Sequence, residues 1–321
     1  MVSLASFSGY SGRMTDWKDK RVVVMGGTGF IGSVLVEALL ERGAVVRVPI
    51  RAENYRALSK LRAKIEWIEG DLRDTDYCRR LITGMDHVFH LASYRRNVEF
   101  HRTHCADVLS GNVEMTLALV HALKEYPHTN VTFFSSANMP PDIDVIRLAQ
   151  QTSNDGYVLG KAVCETLLIT AAHQYKIPLL IVRPVGVYGE RDTFTADSNV
   201  IPSLMVKAEN DDKLVVWGSG KQQRVFLYVQ DLVTAVLRLI DQNASGVHYI
   251  HPDEVTDVGS LAEMIRDIVH PGLPIVFDTD RPEGNRTIPT LAIDPSLADF
   301  PWTPLRAGLE KTYAGWKNKS K

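Results

Sequence analysis

The chain has 321 residues, 45% of them hydrophobic, which is enough for a large core without covalent staples. Its three cysteines, Cys78, Cys105 and Cys164, lie far apart and in odd number, which excludes a simple disulfide framework and suits a reducing, cytoplasmic setting. A net charge of -2 argues against a general nucleic-acid or anionic-membrane surface, and no run approaches the roughly 18 apolar residues of a membrane span.

In chain order, residues 1–17 are Ser/Gly-rich and read as a flexible leader. From Lys18 onward, short β-branched runs alternate with amphipathic stretches: RVVVMG, a helix over Ile31 to Arg42, then AVVRVPI, IEWIEGD, DHVFHLAS, VTFFSS and IPLLIVRP. Apolar runs of this kind belong to strands buried on both faces. The expected fold is therefore α/β, a Rossmann-type doubly wound parallel sheet over 18–185. After Pro184 the pattern breaks into turns. RVFLYVQDLVTAVLRLI then returns to the sheet within 224–250, leaving 186–223 and 251–321 as a smaller, interleaved α+β lobe that holds the substrate.

The first strand runs into GGTGFIG. Gly26, Gly29 and Gly32, followed by a helix that opens on Phe30 and Ile31, let backbone approach a pyrophosphate whose charge sits at the helix N-terminus. Asp71 and Leu72, after the third strand, suit the adenine edge. The second strand ends in VPIR, with Arg51 where an NAD enzyme usually carries an acid for the ribose 2′-hydroxyl. A cation there favours an extra phosphate, so NADP is the expected coenzyme and NAD the alternative.

YVLGK sets Tyr157 and Lys161 four residues apart, one turn from each other on one helix face. A tyrosine near pKa 10 is a poor acid-base group at neutral pH, and a neighbouring ammonium stabilises its phenolate. VTFFSS delivers the hydroxyls of Ser135 and Ser136 at the end of the fifth strand.

GGTGFIG, HLAS, SSANMP, YVLGK and RPVGVYG together resemble the extended short-chain dehydrogenase/reductase family, the NAD-dependent epimerases and dehydratases of nucleotide sugars. The resemblance runs from about Lys18 nearly to the end. It implies that Ser135 bonds the reacting carbonyl, that Tyr157 transfers the proton and that Lys161 holds the ribose and tunes the tyrosine. It adds Leu91, Ala92, Ser93 and Pro184 to the coenzyme contacts, and it implies a homodimer paired through long helices, with Ala162, Val163, Leu167, Leu168 and Ala171 as the apolar face.

Within that family the closer similarity is to the GDP-fucose synthase branch, which epimerises C3 and C5 of a GDP-4-keto-6-deoxy sugar and reduces C4. It points to Ser136, Ala137, Asn199, Val200, Lys207, Val216, Trp217, Arg224, Arg281 and Arg286 as substrate residues, the arginines offering guanidinium forks for a diphosphate and Trp217 a stacking face. Two positions depart from the pattern. Where that branch carries a cysteine and a histidine for epimerisation, this chain has Ala137 and Asn199, neither of which titrates usefully. The expectation is an NADPH-dependent reductase of a nucleotide-linked, GDP-favoured, 4-keto-6-deoxy sugar without C3/C5 epimerisation; the alternatives are a 4-epimerase using NAD and the full epimerase-reductase.

His101, His104 and Cys105 have helical spacing but no evident fourth ligand, so no metal site is expected. Cys105 could instead border the substrate. Asn112 reads as the opening of a helix, either a cap or a kink residue.

Overall fold

The structure is a computed structural model that describes residues 15–51, 55–94, 100, 103–137, 145–151, 155–196, 198–281 and 294–319. A seven-stranded sheet forms its centre. In chain order its strands are β1 (Arg21–Met25), β2 (Val45–Ile50), β3 (Ile65–Glu69), β4 (His87–His90), β5 (Asn130–Phe134), β6 (Leu179–Pro184) and β11 (Gly246–Ile250). Their spatial order is β11-β6-β5-β4-β1-β2-β3, and every pairing is parallel. The chain thus winds outward one way through β2 and β3, then restarts beside β1 at β4. The carboxyl ends of β1 and β4 flank the crevice where such a sheet binds its ligand.

Each strand feeds both faces by simple alternation. Val22 and Val24 face one core with α1 (Phe30–Glu41) and α7 (Val229–Asp241), while Val23 and Met25 face the other with α2 (Thr75–Ile82), α3 (Cys105–Leu123) and α5 (Gly156–Tyr175). A short 3-10 helix, Arg56–Lys64, replaces a full crossover helix between β2 and β3. The helices start where the sequence supplies caps: Asp74 accepts from the N–H groups of Asp76 and Tyr77, and Asp155 accepts from those of Tyr157 and Val158.

Two buried arginines fasten this core. Arg47, on β2, donates to the Leu81 carbonyl at 2.7 Å at the end of α2 and pairs with Glu66 on β3 at 2.8 Å. Arg183, on β6, grips both carboxylate oxygens of Glu165 on α5 at 3.0 and 2.6 Å, with the two side chains 3% and 0% exposed. That bidentate pair clamps the helix carrying Tyr157 onto the sheet.

The remaining elements form the smaller lobe: β7 (Val187–Tyr188) with β10 (Leu227–Tyr228), α6 (Val200–Asn210), β8 (Leu214–Trp217) with β13 (Ile275–Asp278), β9 (Gln223–Val225) with β12 (Val255–Asp257), α8 (Val258–Val269) and α9 (Leu305–Lys319), while α4 (Val145–Gln151) packs on the tyrosine helix through Leu148. Residues 224 and 225 pair with β12 in this lobe, so the chain rejoins the large sheet by hydrogen bonding only at β11, later than residue 224. Trp17, assigned by the sequence to the loose leader, is 4% exposed and packs against His87 and Phe89. An indole has too much apolar surface to leave in water when a sheet face lies within reach.

Among the described residues, no helix is long and apolar enough to cross a membrane.

Candidate active site

The glycine turn is built by close approach. Gly26 has φ +87°, and a Cβ there would meet the Ala92 nitrogen at 2.8 Å, so the turn after β1 presses on the loop after β4. A Cβ on Gly32 would lie 2.1 Å from the Gly26 carbonyl, which only glycine avoids at this turn-helix contact. The first turn of α1 follows Gly29 with no side-chain cap and no acidic residue, leaving its N–H groups and dipole for an anion. Leu91 donates its N–H to Met25 at 2.9 Å, and Leu91, Ala92 and Ser93 are half-buried at the crevice.

At the β2 end Arg51 is exposed, and its charge helps hold the Asp71 carboxyl low. The main cause is Arg73, whose guanidinium bonds both Asp71 oxygens, with Nη2 at 2.6 Å, and lowers that carboxyl to about 2. Asp71 is therefore an ion-paired turn residue, and Leu72 beside it packs on the second core.

The proton-handling residues converge at the end of β5. Lys161 is 3% exposed; its ammonium donates to the Phe134 carbonyl at 2.7 Å and lies 4.7 Å from the centre of the Phe133 ring and 5.9 Å from that of Tyr157. One lysine thus ties the tyrosine helix to the residue just before Ser135. Ser135 is 5% exposed, and its Oγ has no hydrogen-bond partner among the described residues. A buried hydroxyl without a partner costs stability unless a ligand completes it. Ser136 and Ala137 are buried beside it, and the Ala137 N–H donates to the carbonyl of half-buried Pro184 at 3.1 Å.

Gly156 brings the start of α5 against α3: a Cβ on it would sit 1.9 Å from the Cys105 carbonyl. Half-buried Cys105 therefore borders the tyrosine turn, while His104 stacks on Phe100 at 4.2 Å. His101 lies outside the described residues. Asn112 does not open a helix; it lies inside α3, buried. Its amide accepts from Ser93 Oγ at 3.0 Å and the Tyr94 N–H at 2.9 Å and donates to the Val108 carbonyl at 2.7 Å, so it pins the β4 loop to α3. The helix extends upstream because His104 and Cys105 already carry helical hydrogen bonding.

In the smaller lobe, exposed Trp217 has Lys207 and Arg281 over its ring at 5.3 and 5.2 Å. The three converge because β8 and β13 pair Trp217 with Asp278. Val216 is 1% exposed and points into the core, leaving only its backbone for a ligand. Arg224, on β9, is half-buried, and Asn199 and Val200 begin α6, with Asn199 exposed. Arg286 lies outside the described residues. Of the expected dimer face, Ala162, Leu168 and Ala171 are buried within the subunit, and only Val163 and Leu167 keep partial exposure.

The model of the "NAD dependent epimerase/dehydratase family" matches residues 22–253. The chain belongs to this family. It is 31% identical over 319 residues to a dTDP-4-dehydro-6-deoxy-D-allose reductase of Streptomyces sp, covering 94% of this chain and 97% of that protein. It is 27% identical over 317 residues to the putative GDP-L-fucose synthase 2 of Arabidopsis thaliana, covering 92% and 91%. Among solved structures, the UDP-N-acetylglucosamine 4-epimerase of Methanobrevibacter ruminantium M1, in complex with UDP-N-acetylmuramic acid, superposes with a TM-score of 0.80 at 25% identity, covering 95% of this chain and all of that one.

This epimerase/dehydratase family member is an NAD(P)-dependent enzyme, and its residues fit the coenzyme: a glycine cradle that a single Cβ would fill, an uncapped helix start and an unpartnered hydroxyl beside a buried lysine. When bound, the coenzyme supplies or accepts a hydride. The sequence missed the polar group near Lys161, comprising His90, Thr116 and Cys164, and the signal for it was the histidine that ends the buried strand HVFH.

Proposed function

We propose that this protein reduces the C4 ketone of a nucleotide-linked 4-keto-6-deoxy sugar with NADPH and leaves C3 and C5 unchanged. The observation that carries the reading is the unpartnered, buried Ser135 hydroxyl at the β5 end, tied through Phe134 to Lys161 and followed by Ala137. Ser135 donates a hydrogen bond to the ketone oxygen. Tyr157 gives that oxygen its proton, and Lys161, one turn away, keeps the phenol acidic enough to do so. No titratable group stands at Ala137 or Asn199 to shuttle protons at the neighbouring carbons.

Arg51, exposed at the β2 end, supports NADPH over NADH. Trp217 with Lys207 and Arg281 supports a flat base and a diphosphate in the smaller lobe. The sequence resemblance favours GDP, whereas the reductase at 31% identity is named for dTDP, so the assay uses both nucleotides. A homodimer through α3 and α5 is part of the proposal, supported by exposed Leu117 and Ile169 on those helices.

The test supplies GDP- and dTDP-4-keto-6-deoxyhexoses with NADPH and reads the product by NMR. Reduction at C4 with unchanged C3 and C5 is expected; inverted configuration at either carbon would overturn the reading. The 4-epimerase likeness supports one rival, which predicts tightly copurified NAD and no net consumption of NADPH.

A further inference from the structure

His90 is the last residue of β4 and is 1% exposed, in the layer between the sheet and α3 and α5. On the sheet it pairs with Phe133 of β5, the ring on which Lys161 rests, and the His90 and Phe133 rings are 5.2 Å apart. Its Nε2 meets Thr116 Oγ1 at 3.1 Å. Thr116 has one hydrogen and two acceptors on the helical side, the Asn112 carbonyl at 3.1 Å and Cys164 Sγ at 3.1 Å. Its lone pair is then what faces the imidazole, so His90 carries its proton on Nε2. Nδ1 is left as a bare acceptor, buried and without a partner among the described residues.

An unpaired acceptor in a core is a net cost that a Leu or Phe at this place would avoid. What sets this position apart is its neighbour. Lys161 is itself almost wholly buried, and an ammonium out of water needs acceptors or dipoles around it. We propose that His90 is a positioning residue for Lys161: the neutral imidazole presents its Nδ1 lone pair to the buried ammonium through one water, and so keeps it charged beneath Tyr157.

The surrounding groups are consistent with this role. Burial, with Lys161 adding a smaller push in the same direction, lowers His90 to about 3, so it does not compete for charge. From α5 the titratable neighbours are Lys161 and Cys164, the latter raised by burial, with Glu165 beyond them neutralised by Arg183. From α3 come Thr116 and Asn112, neither of which titrates.

The inference rests on the proposed role of Lys161, yet its test needs no substrate. Asn places its carboxamide oxygen near Nδ1, whereas Gln places its amide nitrogen near Nε2, so His90→Asn keeps the acceptor and His90→Gln keeps the bond to Thr116. The ammonium of Lys161 is titrated by NMR on protein with 13C-labelled lysine. We expect its midpoint to fall by about one pH unit in His90→Gln and to stay near wild type in His90→Asn, one unit being a tenfold change in proton affinity. An unmoved midpoint in His90→Gln, or an equal fall in both variants, overturns the proposal. Thr116→Val, which removes the tether and leaves the imidazole, guards against misfolding: a fall there no larger than about 0.3 unit is expected, and a full-unit fall would assign the effect to packing. A normal Lys161 titration series with no reductase turnover would count against the functional reading alone.

Discussion

The ammonium of Lys161 donates to the carbonyl of Phe134 at 2.7 Å, and that one bond joins the helix that carries Tyr157 to the strand that ends in Ser135. The three groups come from two different elements, the end of β5 and the start of α5, but share a single rigid corner. Rigid placement is what general acid-base work requires, because a proton must move over hydrogen-bond distance.

Removing the phenol hydroxyl separates catalysis from binding. Tyr157→Phe should lower turnover by about 100- to 10,000-fold, the usual span for a general acid, while NADPH affinity stays within a few-fold. Stopped-flow turnover and coenzyme fluorescence titration check the two halves.

Coenzyme choice should lie with Arg51. Arg51→Ala is expected to raise the KM for NADPH about tenfold, in keeping with a lost charge-assisted hydrogen bond, and to leave that for NADH unchanged. Equal effects on both coenzymes would place the arginine away from any 2′-phosphate.

The Glu165 and Arg183 pair is buried on both sides, so removing one partner strands a charge in the core. Glu165→Ala should destabilise the fold by about 3–5 kcal/mol, whereas replacing both residues with apolar ones of similar volume should cost less than either single change. Urea denaturation of the two singles and the double closes the cycle.

Acid should act through two buried histidines. Burial lowers both His87 and His90 to about 3, far below the ordinary value near 6.5. The unfolded chain therefore binds protons below about pH 6.5 that the folded chain refuses until about pH 3. The stabilising difference is fully present above pH 6.5 and is lost as pH falls, at roughly 1.4 kcal/mol per unit for each histidine. His87→Gln should halve that part of the slope in denaturation measured between pH 7 and 5.

The sequence alone determined the dinucleotide end and the tyrosine-lysine pair, because both are local. A glycine turn is set by four positions without Cβ among seven residues, and a one-turn spacing is a property of any helix. The parallel sheet was legible for the same reason, since strands buried on both faces are apolar throughout and cannot be mistaken for half-exposed ones. Tertiary structure decided what depends on partners distant in the chain. It turned Asp71 into an ion-paired turn residue through Arg73, put Asn112 inside a helix as a tether for the β4 loop, buried Val216 and most of the expected dimer stripe, and gathered Lys207 and Arg281 around Trp217. It also brought His90 and Lys161 to the same Phe133 ring, a meeting of residues far apart in the chain that no periodicity encodes. Pattern reports which face a side chain takes; only packing reports what it meets there.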